Sequence, residues 1–452
     1  MGKLQSIWPS LRSSLWFVPG ALVLLAVALA IGLIEVDTLL EDEVLNAWPR
    51  LFGAGAAGSR AMLVAVAGSM ITVAGVVFSI TLVALSLASS QYTSRVLHNF
   101  MSDRANQVVL GVFVGIFAYC LVVLRTIREG PDIEFVPSLA VLGGVVLAFI
   151  GVGFFIYFIH HIAMTIQASH ILARIAAETV ERIDHLFPES VGQEDEYYAD
   201  PDPSHTKLRR RWHVAPAART GYIQRVEAES LLAIARDNKA VIRMERHIGE
   251  FVFEGMPLAS ILTSEGSGPP SHDVLKRLSE AYAINTQRTT DQDAAYGIRQ
   301  IVDVALKSLS PGINDTTTAV MSLDYLTAIL VRLCGRDIKS PCRFDAGELR
   351  VITRGATFAS MVDLAFDQIR QNASGNVAVL KRLVEALLTL EERTQLPNRR
   401  EVLLHHARAL EEVIRQTIPA SVDREPVGAR ASLLLSSLKA IEFASETTIR
   451  HV

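Results

Sequence analysis

The stretch Lys307-Ser-Leu-Ser-Pro-Gly-Ile-Asn-Asp-Thr-Thr-Thr-Ala-Val320 crowds hydroxyls, an amide and a carboxylate into a few positions. Three kinds of chemistry suit those residue types. Ser310 could act as a nucleophile. Asp315, with Asp291, Asp293 and Asp303 upstream, could offer oxygen ligands to a hard cation, with Arg299 and Lys307 nearby. Gly312, Asn314 and Thr316 flank a helix start, whose exposed N–H groups attract anions.

The catalytic reading lacks support elsewhere in the chain. There is no phosphate loop of the G-x-x-x-x-G-K-[ST] kind, no G-x-S-x-G elbow and no H-E-x-x-H pair. Ser310 has no histidine partner recognisable by spacing. A conformational reading accounts for the same residues. Ile298, Ile301, Val302, Ala305 and Leu309 repeat at helical spacing, and Ser310-Pro311-Gly312 would stop that helix, the glycine by taking a left-handed conformation. Asn314 or Asp315 would cap the next helix, with Ala319, Met321, Leu323, Leu326, Ile329 and Leu330 on its apolar side. A capped junction ranks first, ligand or ion binding second and catalysis third. The third reading would make the chain a metal-dependent membrane-bound enzyme.

A second set of chemical groups lies in an apolar run. Gly68, Thr72, Gly75, Ser79 and Ser86 fall at intervals of four, three, four and seven, along one stripe of a helix. Small residues in such a stripe let membrane helices approach closely. The same hydroxyls could line a narrow path for ions. Both uses remain open, with close packing the commoner. Adjacent His160 and His161 could sense pH or bind a metal, but neighbouring positions on a helix do not face one way, and a headgroup location is the simpler account.

These residues sit among long apolar segments. Four segments, 15–34, 61–89, 108–124 and 136–162, are of the length that spans a bilayer and carry no Asp, Glu, Lys or Arg in their interiors. The first resembles a signal peptide around Ala28–Ala30, but its apolar run continues through Ile34, so a retained anchor is expected. Intramembrane Asp, Glu or His commonly serves proton-coupled carriers, and its absence disfavours one here. The segment after the first holds Glu35, Asp37, Glu41, Asp42 and Glu43 against Arg50 and Arg60, and the segment after the second holds Arg95 and Arg104 with only Asp103. The positive-inside rule then puts the Arg95–Arg104 loop and both termini in the cytoplasm. Net charge is −4, so no basic field points to nucleic acid. Three cysteines without a C-x-x-C pair suggest reduced structural thiols, and no cofactor motif is present.

The expected fold is a mainly α membrane protein. Residues 1–187 would form four transmembrane helices, the fourth continuing into the cytoplasm. Residues 188–215 read as a polar, proline-broken linker, in which Arg209, Arg210, Arg211 and Trp212 could touch headgroups or simply form a solvated turn. Residues 216–265 alternate as strands, with turns at Gly249 and Gly255 and a short helix near 229–236. Asp237-Asn238-Lys239-Ala240 echoes a lipoyl-lysine turn, but Lys239 would begin a strand instead of sitting at a hairpin tip. Residues 270–452 read as all-α, with helices at 272–288, 294–309, 316–333, 346–370, 377–393, 399–418 and 425–450.

Three stretches together carry a family resemblance: VVFSITLVALSLASSQYTSRVLHNF at 76–100, DAAYGIRQIVDVALKSLSPGINDTTTAV at 293–320, and GYIQRV with GEFVFEGMPL between them. They resemble a bacterial family of predicted membrane proteins, the domain of unknown function 2254 family. The similarity extends over nearly the whole chain. In this pattern a proline commonly follows the SPGIND aspartate; Thr316 stands there in this chain. The resemblance implies a multi-pass bacterial inner-membrane protein and supplies no catalytic residue. The expected function is a homo-oligomeric channel or conduit with a cytoplasmic regulatory domain, not an enzyme. The alternative is a membrane-anchored sensor or scaffold without a pore. The expected partners are the lipid bilayer, further copies of the chain and a small ion or anionic effector.

Overall fold

A computed structural model describes residues 16–39, 55–91, 103–128, 135–187, 212–263, 268–289, 292–336, 338, 341–394 and 396–449. The chain is mostly helical and divides into two compact units, Met1–His170 and Ile171–Val452.

In the first unit, four apolar helices are α1 (Phe17–Leu39), α2 (Ala56–Gln91), α3 (Arg104–Thr126) and α4 (Ser138–Thr165). Helix α3 is central, and the other three all pack on it. Its Phe113, Ile116, Tyr119, Cys120 and Val123 are buried against Leu63, Met70 and Val77 of α2 and Phe158 and Ile162 of α4. Contact with α1 depends on small residues. A Cβ on Gly111 would stand 2.8 Å from Pro19 Cα, so only glycine allows this approach. Helix α4 begins after Pro137, which has no side-chain acceptor for the first amides. Asp37 of α1 supplies one. Its carboxylate oxygens accept from the N–H groups of Leu139 and Ala140, each at 3.0 Å. Tyr119 donates its hydroxyl to the Ala140 carbonyl at 2.7 Å.

The expected continuation of the fourth span does not occur. Helix α4 ends at Thr165, and α5 (Ala168–Leu186) begins after a break at Ile166 and Gln167. Thr165 donates its hydroxyl back to the His161 carbonyl at 2.8 Å, a bond that bends helices, just before the break. The apolar periodicity runs on across it, which is why the sequence reads as continuous.

The second unit mixes strands and helices. After α5 come β1 (His213–Pro216), β2 (Gly221–Val226), α6 (Ala228–Asp237), β3 (Val241–Met244), β4 (Phe251–Val252), β5 (Pro257–Leu262), α7 (His272–Glu280) and β6 (Tyr282–Asn285). Then follow α8 (Ala294–Ser308), α9 (Thr316–Cys334), β7 (Cys342–Asp345), β8 (Glu348–Ile352), α10 (Phe358–Asn372), α11 (Val377–Arg393), α12 (Pro397–Thr417) and α13 (Ser421–Ile449). One sheet has the order β1-β5-β3-β8-β7 and the other β4-β2-β6. Among the described strands only β3 and β8 pair in parallel; the other pairs are antiparallel. Ile223, Leu231, Ile242, Val252, Leu258, Ile261 and Leu278 fill one core.

Residues 270–452 are therefore not all-α. The segment expected as one helix over 272–288 ends at Glu280, and Tyr282 and Ile284 turn inward as strand β6 instead. The segment expected as helical from 346 opens with a hairpin. Ala346 and Gly347 have φ of +51° and +77°, a two-residue turn with both central residues left-handed, which suits the strand twist. Lys239 also has positive φ, at +45°, and lies in the turn before β3.

Five described helices are long and apolar enough to cross a membrane: α1 to α4 and α9. Half of the most apolar window of α9 is buried inside the chain, through Ala319, Leu323, Leu326, Ile329, Leu330 and Leu333.

Candidate functional site

The SPGIND junction is built by hydrogen bonds within itself. Helix α8 closes at Leu309, and the carbonyl of Ser310 accepts from the amides of Ile313 at 3.0 Å and Asn314 at 2.9 Å. The Ser310 hydroxyl donates to the Lys307 carbonyl at 2.6 Å. Asn314 has φ +49°, the left-handed conformation expected at Gly312. The amide side chain of asparagine tolerates that region, so it takes the role instead. Gly312 lies in the exposed loop, and a Cβ there would meet nothing within 4 Å.

Asp315 is the cap of α9. Its Oδ1 accepts from the Thr318 amide at 3.0 Å, and its Oδ2 accepts from the Thr318 hydroxyl at 2.6 Å. The Thr318 hydroxyl and then the Thr318 amide hold the Asp315 carboxyl below the usual carboxylate range; burial opposes them, and the Thr317 amide adds a lesser pull downward. Thr316 accepts from Asn376 Nδ2 at 2.9 Å, and Asn376 itself caps α11. An anion approaching these amides meets a carboxylate already in place.

The upstream aspartates are not brought together around a metal. Asp291 lies outside the described residues. Asp293 is buried at the start of α8, accepting from the Tyr296 amide at 3.1 Å and pairing with Arg288 at 2.6 Å. Burial pushes its carboxyl up, and the Arg288 charge opposes that shift. Gly249 (φ +86°) packs on this pair; a Cβ there would stand 2.6 Å from Arg288 Nη2. Asp303 pairs with Arg299 at 2.8 Å. Among the described residues, no three His, Cys, Asp or Glu side chains are grouped to hold a metal ion.

The stripe on α2 has a clear placement. Gly68, Thr72, Gly75, Ser79 and Ser86 are all exposed. The opposite face of the helix is the one buried in the unit, through Leu63, Ala67, Met70, Ala74, Val77 and Ala84. Val64, Ile71, Leu82 and Val83 are also exposed and border the stripe. Nothing lies within 4 Å of a Cβ built on Gly68 or Gly75. The small residues therefore do not serve packing against the described residues of this chain. The Thr72 hydroxyl donates to the Gly68 carbonyl at 2.7 Å, which leaves its oxygen lone pairs as acceptors.

His160 and His161 part as helix geometry requires. His160 is exposed, whereas His161 Nε2 pairs with Asp103 Oδ2 at 2.6 Å and its ring stacks on Tyr157. Asn106 and Gln107 are buried one turn beyond Asp103. Neither was singled out in the sequence, where two amides at the edge of an apolar run resemble ordinary boundary residues. Arg209 to Arg211 lie outside the described residues, and Arg243 stacks over the Trp212 ring at 4.5 Å.

No solved structure matches the chain. It is similar to uncharacterized proteins of Mycobacterium bovis and Mycobacterium tuberculosis, each 31% identical over 405 residues, covering 88% of this chain and 76% of the relative. The family described as predicted membrane protein DUF2254 matches residues 12–389. An apolar helical bundle followed by a mixed unit, matched over that length, makes this chain a member of the DUF2254 family of predicted membrane proteins.

Proposed function

We propose that the protein is a homo-oligomeric conduit for small ions in a bacterial inner membrane. In this reading α1 to α4 cross the bilayer, both termini are cytoplasmic and the second unit is regulatory. The observation that carries it is the outward stripe of Gly68, Thr72, Gly75, Ser79 and Ser86, left unpacked by the described residues of its own chain and bordered by larger apolar residues. Copies of α2 around an axis would bury those borders against each other and turn the hydroxyls of Thr72, Ser79 and Ser86 inward. Because Thr72 spends its proton on its own helix, its oxygen suits a cation better than an anion. Helix α9 stays out of the membrane in this reading, since Asp324 and Arg332 on it engage Arg382 and Asp184. The capped SPGIND junction would stiffen the regulatory unit, and no catalytic step is involved.

Purified protein in a planar bilayer should conduct, and Ser79→Leu should reduce that conductance. Silence from verified insertions would overturn the reading. The second reading, a membrane-anchored sensor or scaffold, uses the same stripe for dry packing between copies. Cysteine labelling along 68–86 separates the two. A water path predicts reaction at Thr72 and Ser79 positions deep in the helix, and dry packing predicts none.

A further inference from the structure

The bundle contains a second polar place, away from the α2 stripe. Asp103, Asn106 and Gln107 stand at positions i, i+3 and i+4, on one face of the first turn of α3. Asn106 is 7% exposed and Gln107 2%. Both polar atoms of each carboxamide are buried, and among the described residues none of the four has a hydrogen-bond partner. Beside them Asp103 caps its own helix through Ala105 N–H at 2.9 Å and pairs with His161 of α4. Thr165 lies one turn further along α4, its hydroxyl 3.4 Å from His161 Nε2.

Unpaired amides inside an apolar bundle are costly and mark functional places in membrane helices. Their chemistry narrows the occupant. Each carboxamide presents a donor group and an acceptor. A cation would satisfy only the oxygens, and an anion only the nitrogens. Water satisfies both. The Asp103 carboxylate already has His161 Nε2 as a partner at 2.6 Å, so the two carboxamides are the groups left to satisfy.

We propose that the Asp103 end of the α3–α4 pair is a hydrated site, in which Asn106 and Gln107 bind water that enters from the membrane face bearing Asp103. The proposal rests on the reading that α3 and α4 cross the membrane, and it gives each chain an aqueous inlet of its own. It does not depend on conductance through α2.

The test places single cysteines at Asn106, Gln107 and Phe113 in full-length protein with Cys120, Cys334 and Cys342 replaced by alanine, in sealed vesicles. Phe113 lies deeper in the same helix and is fully buried. Thiols react as thiolates, so a hydrated cysteine should react with a membrane-impermeant methanethiosulfonate roughly tenfold or more faster than a dry one. Fast reaction at 106 and 107 from one membrane face, with none at 113, supports the site. Reaction at 106 and 107 no faster than at 113 overturns it. If those variants fail to fold, a map of the unmodified protein that resolves ordered water decides. Density within hydrogen-bond distance of both carboxamides supports the site, and dry carboxamides overturn it. Loss of conductance with labelling intact would count against the conduit reading alone.

Discussion

The Asp315 carboxylate takes two donors from one residue, Thr318, and so fixes both the start of α9 and the exit from the SPGIND loop. Asp315→Ala should cost about 1 kcal/mol of stability, the usual worth of an N-cap, and Asp315→Asn much less. Thermal unfolding of the two variants checks this. The sign with pH follows from the lowered carboxyl. Its stabilisation is complete above the ordinary aspartate value of 3.8 and is lost as pH falls through the lower folded value. The difference between wild type and Asp315→Ala should therefore shrink only in acid, and a constant difference down to pH 2 would contradict the assignment. Gly249 carries a different constraint. Its positive φ and its contact with the Arg288–Asp293 pair leave no room for a side chain, so Gly249→Ala should cost about 2 kcal/mol or more, read as a lowered denaturation midpoint. The sequence displays the capping chemistry of Asp315 because cap and helix are adjacent in it. It hides the Gly249 contact, because residues 249, 288 and 293 meet only in the fold.

At the scale of elements, helix starts are handled in two ways. Helices α9 and α11 carry their caps in sequence, at Asp315 and Asn376. Helix α4 does not, and borrows Asp37 from α1. Asp37→Ala leaves the buried Ala140 amide and the half-buried Leu139 amide of α4 unpaired, which costs roughly 1–3 kcal/mol for the buried one and less for the other. Reduced thermal stability of detergent-solubilised protein is the expected result, with partial recovery in Asp37→Asn, which keeps one acceptor. The β7–β8 hairpin points the other way. Ala346 occupies a left-handed position better suited to glycine, so Ala346→Gly should stabilise the second unit by about 1 kcal/mol, measured by denaturant unfolding. The periodic runs that became α8 and α9 are legible because each stays helical from cap to cap. Segments 282–285 and 342–352 are not, because four or five alternating residues carry too little pattern to compete with neighbouring helices.

At the scale of the molecule, the apolar helices leave one face of α2 lined with small residues and unpacked by the described residues. If copies meet there, Ser79→Cys protein should cross-link into covalent dimers under mild oxidation in membranes, whereas cysteine at Met70, on the buried face, should not. Monomer alone from Ser79→Cys would argue against assembly through this face. The stripe itself is visible in sequence as a spacing. Its outward direction is not, because that depends on which face of α2 meets α3.

The parallel pairing of β3 with β8 has a consequence for synthesis. Ile242 waits for Val351, about a hundred residues later in the chain, a span that takes roughly 5–20 s to translate. Until then the β8 side of β3 is an open strand edge carrying unpaired backbone groups, beside the β5 strand that covers its other side. Nascent chains halted between α9 and β8 would expose that edge to one another on the same polysome. Completing this sheet is thus a late event in the life of each chain, and the interval before it is when mispairing between copies is most easily made.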